Sequence, residues 1–397
     1  MTAHRKSILV ALLLGSSFSA AHATNGTMFH GYGARAQGMG GVGIGYFQDG
    51  LVGANNPAGF SWIEDRADVE LAILKADRGA RINGREIDSN GKDLYVFPMI
   101  GWKKSLNQTV SLGLSVYPMG AGTVYEEPVI TGPVTAPKKA TEAELAQIVL
   151  APSVSYRLDR DHSIGLSLNL AYQRFYAQGT EPLYGDPGTD SSLGAGLAFG
   201  WAGKLHERIT AGLSYYSRIH MGKLDRYAGL LANHGEMDIP ERYGIGISAQ
   251  ITDATTIGFD YLRINYGGVK SLSNSVYAFL NPATPPGSRN GAGFGWQDQD
   301  VFKIGISHKH SDALTLRAGY SHATGVIPAR ETALNYLAQI TPQDHYTLGA
   351  TIKSSPTTSW TLAYGFVPKT TVRGTGMLSA GTDLYHQQHW LSVGYGW

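Results

Sequence analysis

Alternation with period two, sustained well past ten residues at a time, is what most limits the folds open to this chain. Ile164, Leu166, Leu168, Leu170 and Tyr172 alternate with Ser163, Gly165, Ser167, Asn169 and Ala171. Tyr243, Ile245, Ile247, Ala249 and Ile251 alternate with small or polar neighbours, as do Tyr346, Leu348, Ala350 and Ile352. Leu391, Val393, Tyr395 and Trp397 repeat the pattern at the end of the chain. Helical spacing cannot produce this, whereas a strand with two unlike faces does. The pattern predicts fourteen strands: 67–80, 91–104, 109–125, 143–158, 162–178, 190–204, 208–224, 236–252, 255–270, 297–309, 313–327, 343–354, 358–374 and 384–397. Most exceed the about 5–6 residues of an ordinary soluble strand and match the roughly 9–11 tilted residues that cross a bilayer.

The connections alternate in length. Short ones fall at 105–108, 158–162, 205–208, 251–255, 308–313 and 353–358; long ones fall at 81–90, 126–142, 179–189, 225–235, 271–296, 328–342 and 375–383. Short turns at one end and long loops at the other describe an outer-membrane barrel. Lipid cannot satisfy free backbone groups, so such a sheet must close. The expected fold class is therefore all-β: a 14-stranded antiparallel transmembrane barrel. Tyr95, Trp102, Tyr117, Tyr156, Tyr172, Trp360, Tyr364 and Trp390 are candidates for its interfacial girdles. A soluble β-sandwich or propeller, with the same aromatics in its core, is the competing fold.

Composition narrows the function. Glycine supplies 51 of 397 residues, charged residues are 16%, cysteine is absent and the formal net charge is +1. A balanced charge without a basic stripe excludes an ordinary nucleic-acid binder. Zero cysteine removes disulfide frameworks and thiolate chemistry. At the N-terminus, Arg5 and Lys6 precede the apolar run Ile8–Leu14 and a small-x-small site at Ala21-His22-Ala23. That order is a cleaved secretory signal, and its apolar core is too short to span a membrane. The expected organisation is a signal peptide over 1–23, a plug or hatch over 24–65 and a barrel over 66–397. Residues 24–65 are rich in glycine and lack sustained alternation; a wide lumen left open would be a nonspecific pore, so the interior is the expected place for them. A periplasmic tail is the alternative.

Several motifs then point to a family. They are Gly33-Ala34-Arg35-Ala36, the Asn-Pro-Ala run within Asn55, Asn56, Pro57 and Ala58, Tyr117-Pro118-Met119-Gly120, Ile239-Pro240-Glu241 and the terminal Trp397. With them, the mature chain resembles the FadL/TodX (OmpP1) group of outer-membrane transporters for long-chain fatty acids and other hydrophobic compounds. The resemblance implies a monomeric barrel plugged by its N-terminus, ligand capture at the outer loops, transfer to a site beside the hatch and sideways exit through a wall gap at strand three. It also implies that Trp397 is the terminal aromatic read by the barrel-assembly machinery. The long loop 126–142 is short for this family.

The residues themselves add candidates. Proline is normally confined to sheet edges and bulges, yet Pro98, Pro118 and Pro152 fall inside strands two, three and four. Pairing Tyr125 with Ala143 sets Pro118 opposite Leu150, two residues from Pro152; pairing across 105–108 sets Pro98 opposite Ser115. A weak patch in the wall follows, loosened further by Gly120 and Gly122, with ordinary bulges as the alternative. By parity Arg218, Lys303 and Arg317 point inward and are candidates for an anionic head group, or else partners for carboxylates such as Asp260. Phe29, Phe175 and Tyr216 are candidate apolar lining. Gly38-x-Gly40-x-x-Gly43 follows no strand and is not read as a dinucleotide site. His386 with His389, and His308 with His310, lack a third metal ligand, and no Gly-x-Ser-x-Gly elbow is present. The sequence thus predicts a channel, not an enzyme, without cofactor or metal, for uptake of long-chain fatty acids or related hydrophobic molecules. Aromatic hydrocarbons as cargo, a nonspecific porin and an outer-membrane lipid hydrolase are the alternatives, and direction of transport stays open.

Overall fold

The computed structural model describes residues 25–129, 139–180 and 185–397. Fourteen long antiparallel strands close into a barrel. They are β1 (Arg66–Ile82), β2 (Leu94–Ser105), β3 (Val110–Val124), β4 (Glu142–Arg157), β5 (His162–Gln178), β6 (Asp190–His206) and β7 (Ile209–Tyr216). The second half is β8 (Arg242–Thr252), β9 (Thr255–Ile264), β10 (Gln299–Lys309), β11 (Leu314–Ala323), β12 (Asp344–Lys353), β13 (Ser359–Val372) and β14 (Thr382–Gly396). Neighbours in sequence are neighbours in space, and β1 closes the barrel on β14 from Asp68 opposite Gly396 to Ile82 opposite Thr382. Two short strands ride on this wall: Arg85–Asp88 folds back on β1, and His220–Met221 pairs with β6. The expected signal peptide, its cleavage site and the middle of the 126–142 loop lie outside the described residues.

Alternation sorts the two faces as the sequence requires. Leu166, Leu168 and Leu170 of β5, Ile245 and Ile247 of β8, Leu348 of β12 and Leu391 of β14 are exposed on the outer surface. Their neighbours Ser167, Asn169, Ser248, Thr347 and Ser392 are buried toward the lumen. An apolar outer belt, with these polar residues turned inward, suits lipid. Among the girdle candidates, Trp102, Tyr156, Tyr172, Trp360 and Tyr364 face outward. Tyr95, Tyr117 and Trp390 do not: they are buried inside, because each occupies the inward parity of its strand.

β7, β8 and β9 are each shorter at the long-loop end than the alternation predicts. β7 stops at Tyr216, not 224, because Ser217 interrupts the ladder: its N–H donates to the Leu197 carbonyl at 2.8 Å while its hydroxyl accepts from the Leu197 N–H at 2.9 Å. Pairing resumes one residue out of step, from Ala198 opposite Tyr216 to Ala195 opposite His220, which is a bulge. β8 begins at Arg242 instead of 236, and β9 ends at Ile264 instead of 270. The freed segments 217–241 and 265–298 fold over the long-loop end, burying Tyr227, Leu231, Met237, Tyr266, Leu272 and Trp296.

Residues 25–65 lie within the ring of strands. A one-turn helix (Ala34–Gln37) and two 3-10 turns (Gly50–Ala54 and Pro57–Trp62) break up an otherwise irregular path. Its backbone touches inward residues all around the wall: the Gly40 N–H donates to Thr347 Oγ1 at 2.8 Å, the Gly43 and Ile44 N–H groups donate to Asp260 at 2.7 and 2.9 Å, and Ser155 donates to Ala58 at 3.0 Å. Glycine makes this contact possible. A Cβ on Gly212 would stand 1.9 Å from the Ile44 carbonyl oxygen, and one on Gly319 would stand 2.1 Å from the Gly40 nitrogen.

Candidate functional site

The most distinctive interior feature is a buried guanidinium. Arg242 opens β8, whose next residue, Tyr243, faces outward; strand parity therefore turns Arg242 into the lumen. It sits over the Tyr216 ring at 4.0 Å, with the Tyr32 and Tyr117 rings at 5.6 and 5.9 Å. Nη2 donates to the Ala54 carbonyl at 3.0 Å and Nη1 meets the Met28 sulfur at 3.3 Å. No carboxylate among the described residues lies within ion-pair distance of it. A second cation, Lys303, shares the cavity. It stands opposite Asp260 across β9 and β10 and donates to the Gly41 carbonyl at 3.1 Å. The cavity, lined also by Phe29, Tyr32, Ile44 and Leu262, holds only about 20 Å³. That is room for a water, so a larger guest requires the N-terminal segment to move.

A second cavity lies beyond Met28 and Phe29, under the long loops. Thr27, Leu145, Phe175, Met237, Leu272 and Trp296 line about 30 Å³ of almost purely apolar space. The turn Asn25–Met28 therefore stands between an apolar pocket and a cationic one. It is held by Tyr266, whose hydroxyl donates to the Asn25 carbonyl at 2.7 Å and accepts from the Thr27 N–H at 2.9 Å. Burial pushes the Tyr266 phenol up to about 12, so the neutral, hydrogen-bonding form persists at ordinary pH.

The wall beside this turn is incomplete. β2 and β3 pair only from Ser105 opposite Ser111 to Ile100 opposite Val116. Beyond that the ladder is absent until Gly91, whose N–H donates to the Val124 carbonyl at 3.1 Å, with Lys92 bonded to Glu144 at 3.0 Å. Continued in register, Pro98 would face Pro118. Neither proline carries a donor, so neither leaves an N–H orphaned on that edge. From Tyr117 to Thr123 every residue of β3 is buried, on both faces, so this half of the strand has left the outer surface. Gly120, in the left-handed region at φ 145°, donates its N–H to the Thr27 carbonyl at 2.8 Å.

These registers correct the sequence arithmetic. Pro98 is aligned with Pro118 and not with Ser115, which pairs with Gly101. Pro118 pairs with Ile148, not Leu150, and its ladder with β4 is unbroken from Val110 to Val124. Pro152 lies opposite Leu114, four residues from the window. Its effect is a local break with β5 between Leu150 and Ser153, in unchanged register. Gly122 pairs with Glu144 at the upper end of the window.

The remaining candidates separate. Asn56 Oδ1 caps the turn at Ala58 N at 3.0 Å, and its Nδ2 donates to the Ile44 and Trp201 carbonyls at 2.9 and 3.0 Å. Asn55 donates to the Tyr32 carbonyl at 2.8 Å, and Pro57 takes the first position of its 3-10 turn. Phe29 packs edge-on to Phe97 at 4.9 Å, Phe175 edge-on to Tyr227 at 4.6 Å, and Tyr216 donates to the Gly53 carbonyl at 2.8 Å. Arg218 is not a lumen residue of β7. It follows the Ser217 bulge, which shifts parity, and its guanidinium bonds the Gly268 carbonyl at 2.5 Å near Asp238. Arg317 does face inward, but at the short-turn end, where it bonds Gln48 and Thr351. Trp397 exchanges two backbone bonds with Ala67 at the barrel seam. His386 is buried against the Gln339 carbonyl while His389 is exposed. Arg242 was missed by sequence reasoning, although the outward parity of Tyr243, Ile245 and Ile247 already pointed it inward.

Comparison with known proteins places this geometry. Comparison with curated proteins by sequence gives no match. The fold matches the Pseudomonas putida toluene transporter TodX at 18% identity and TM-score 0.70, covering 92% of this chain and 98% of that one. It matches the Ralstonia pickettii toluene transporter TbuX at 15% identity and TM-score 0.68, covering 92% and 98%. A Pseudomonas aeruginosa FadL homologue matches at 15% identity and TM-score 0.65, covering 96% and 99%. At such identities the structural likeness carries the fold alone, but the profile of the outer membrane protein transport protein family (OMPP1/FadL/TodX) matches residues 12–383. The chain belongs to that family.

Proposed function

We propose that this protein admits long-chain fatty acids or related hydrophobic molecules across the outer membrane, passively and without a cofactor. Residues 24–65 act as a hatch, and the wall window between β2 and β3 is the lateral exit. The observation that carries the proposal is the position of the Asn25–Met28 turn. It separates the apolar pocket from the Arg242 cage and bonds the edge of the window through Gly120. Displacing this turn would join loop pocket, cage and window. Burial of an apolar tail supplies about 25 cal/mol per Å², and Arg242 and Lys303 supply donors for a carboxylate head.

The cage favours an anionic amphiphile over a neutral hydrocarbon, because a buried guanidinium without a carboxylate partner is best satisfied by one. TodX and TbuX are toluene transporters, so an aromatic hydrocarbon is the second reading. Mass spectrometry of ligand retained by the purified protein decides between them. A fatty acid supports the first reading and an aromatic hydrocarbon the second. Steady conductance in planar bilayers would instead mean a porin, and serine-dependent turnover of a lipid ester a hydrolase. We further propose a monomer in outer-membrane lipid, with Trp397 serving barrel assembly.

A further inference from the structure

The short-turn end of the lumen, on the periplasmic side by the loop rule, contains a separate cavity of about 360 Å³. Its charged lining is Arg35, Lys309, Arg317 and Lys353 against Asp253 and Asp312. Both carboxylates are engaged at the rim, Asp253 with Arg208 at 2.7 Å and Asp312 with Lys309 at 2.6 Å. The two arginines lie deeper. Arg317 is 8% exposed, and its Nε donates to Gln48 Oε1 at 2.8 Å and its Nη1 to Thr351 at 2.7 Å. Arg35 donates to the Gln48 carbonyl at 2.6 Å and to Ser359 at 2.9 Å. One residue of the N-terminal segment, Gln48, thus ties together two guanidiniums from opposite sides of the interface between plug and wall.

Neither arginine has a carboxylate within ion-pair distance among the described residues. Nη2 of Arg317 donates to no described residue. All the acceptors they do have are neutral amide and hydroxyl oxygens. Asp49 acts on both guanidiniums, and Asp68 and Glu70 on Arg35, but all three carboxylates spend their hydrogen bonds on backbone N–H groups or Arg66, so buried Arg317 keeps an open donor and half-buried Arg35 a second charge beside an accessible space. We infer that this periplasmic cavity is a binding site for a compact oxyanion, a phosphate or a small carboxylate, held by Arg317 and Arg35. It lies at the end of the barrel away from the loop pocket, and its existence does not depend on which compound the channel carries.

Titration calorimetry with inorganic phosphate on the full-length protein in detergent tests this, with citrate as a second probe at matched ionic strength. Saturable binding is expected, weakened roughly tenfold in Arg317→Gln and in Arg35→Gln, each a loss of about 1.4 kcal/mol. Binding should be unchanged in Arg160→Gln, an exposed arginine at the same end. Heat-modifiable migration reports that each variant is folded, and either arginine variant alone suffices. Displacement of phosphate by octanoate would identify the oxyanion as a cargo head group; failure to displace it would identify a free solute. Absence of saturable binding of either probe, or equal binding in folded Arg317→Gln, overturns the assignment.

Discussion

The backbone N–H of Gly120, in the wall, donates to the backbone carbonyl of Thr27, at the start of the lumen segment, at 2.8 Å. Gly120 lies two residues beyond Pro118, so both turn their nitrogens toward the missing partner strand. At one position the donor is absent; at the other the N-terminal segment satisfies it. The window edge and the lumen segment are thereby joined by a hydrogen bond.

Replacing both Pro98 and Pro118 by valine supplies two strand-compatible donors where the β2–β3 ladder now stops. The ladder should extend toward Gly91 and close the window. Oleate uptake by cells carrying this variant is expected to fall roughly tenfold or more, with heat-modifiable migration intact. Full uptake through a folded variant would remove the window from the path.

Gly212 is a point where the backbones of the wall and the lumen segment meet. Valine there would place atoms within the Ile44 carbonyl, and overpacking of this kind costs about 1–3 kcal/mol. The lumen segment, less extensively bonded than the barrel, should yield first. Planar-bilayer recordings are expected to show discrete openings in Gly212→Val and near silence in the parent.

Arg242→Met keeps the bulk of the side chain and removes its charge. A hydrogen bond to a charged group contributes about 1.5–3 kcal/mol, so oleate affinity should drop by roughly ten- to a hundredfold. Toluene, which has no head group, should bind both proteins alike. Equal losses for the two ligands would show that Arg242 only shapes the cavity.

Asp260→Asn weakens the anchor for the Gly43 and Ile44 N–H groups and leaves Lys303 without its facing charge. The expected result is faster tryptic cleavage after Arg35 and a thermal transition lowered by several degrees, since about 1.5–3 kcal/mol is at stake. Unchanged proteolysis would mean that the glycine contacts alone hold the segment.

Much of this molecule was written in local sequence. Period-two alternation defines the strands, their outward faces and their order, because lipid admits only closed, fully paired sheets. The same parity, applied to Tyr243, Trp390 or Lys303, says which side chains enter the lumen. It fails at Ser217, where a side-chain hydroxyl takes a ladder position and moves Arg218 out of phase; a serine in a strand does not announce that it will do so. Register is the larger loss. A small change in pairing turned three separate prolines into one facing pair, Pro98 and Pro118, with Pro152 outside it. The tyrosine cage of Arg242 draws on residues 32, 117 and 216, the Gly120–Thr27 bond on chain segments far apart, and the Gln48 bridge on plug and wall together. Such contacts depend on how an irregular segment packs inside a closed wall. That packing is decided by many close backbone approaches at once, and only the tertiary structure brings them together.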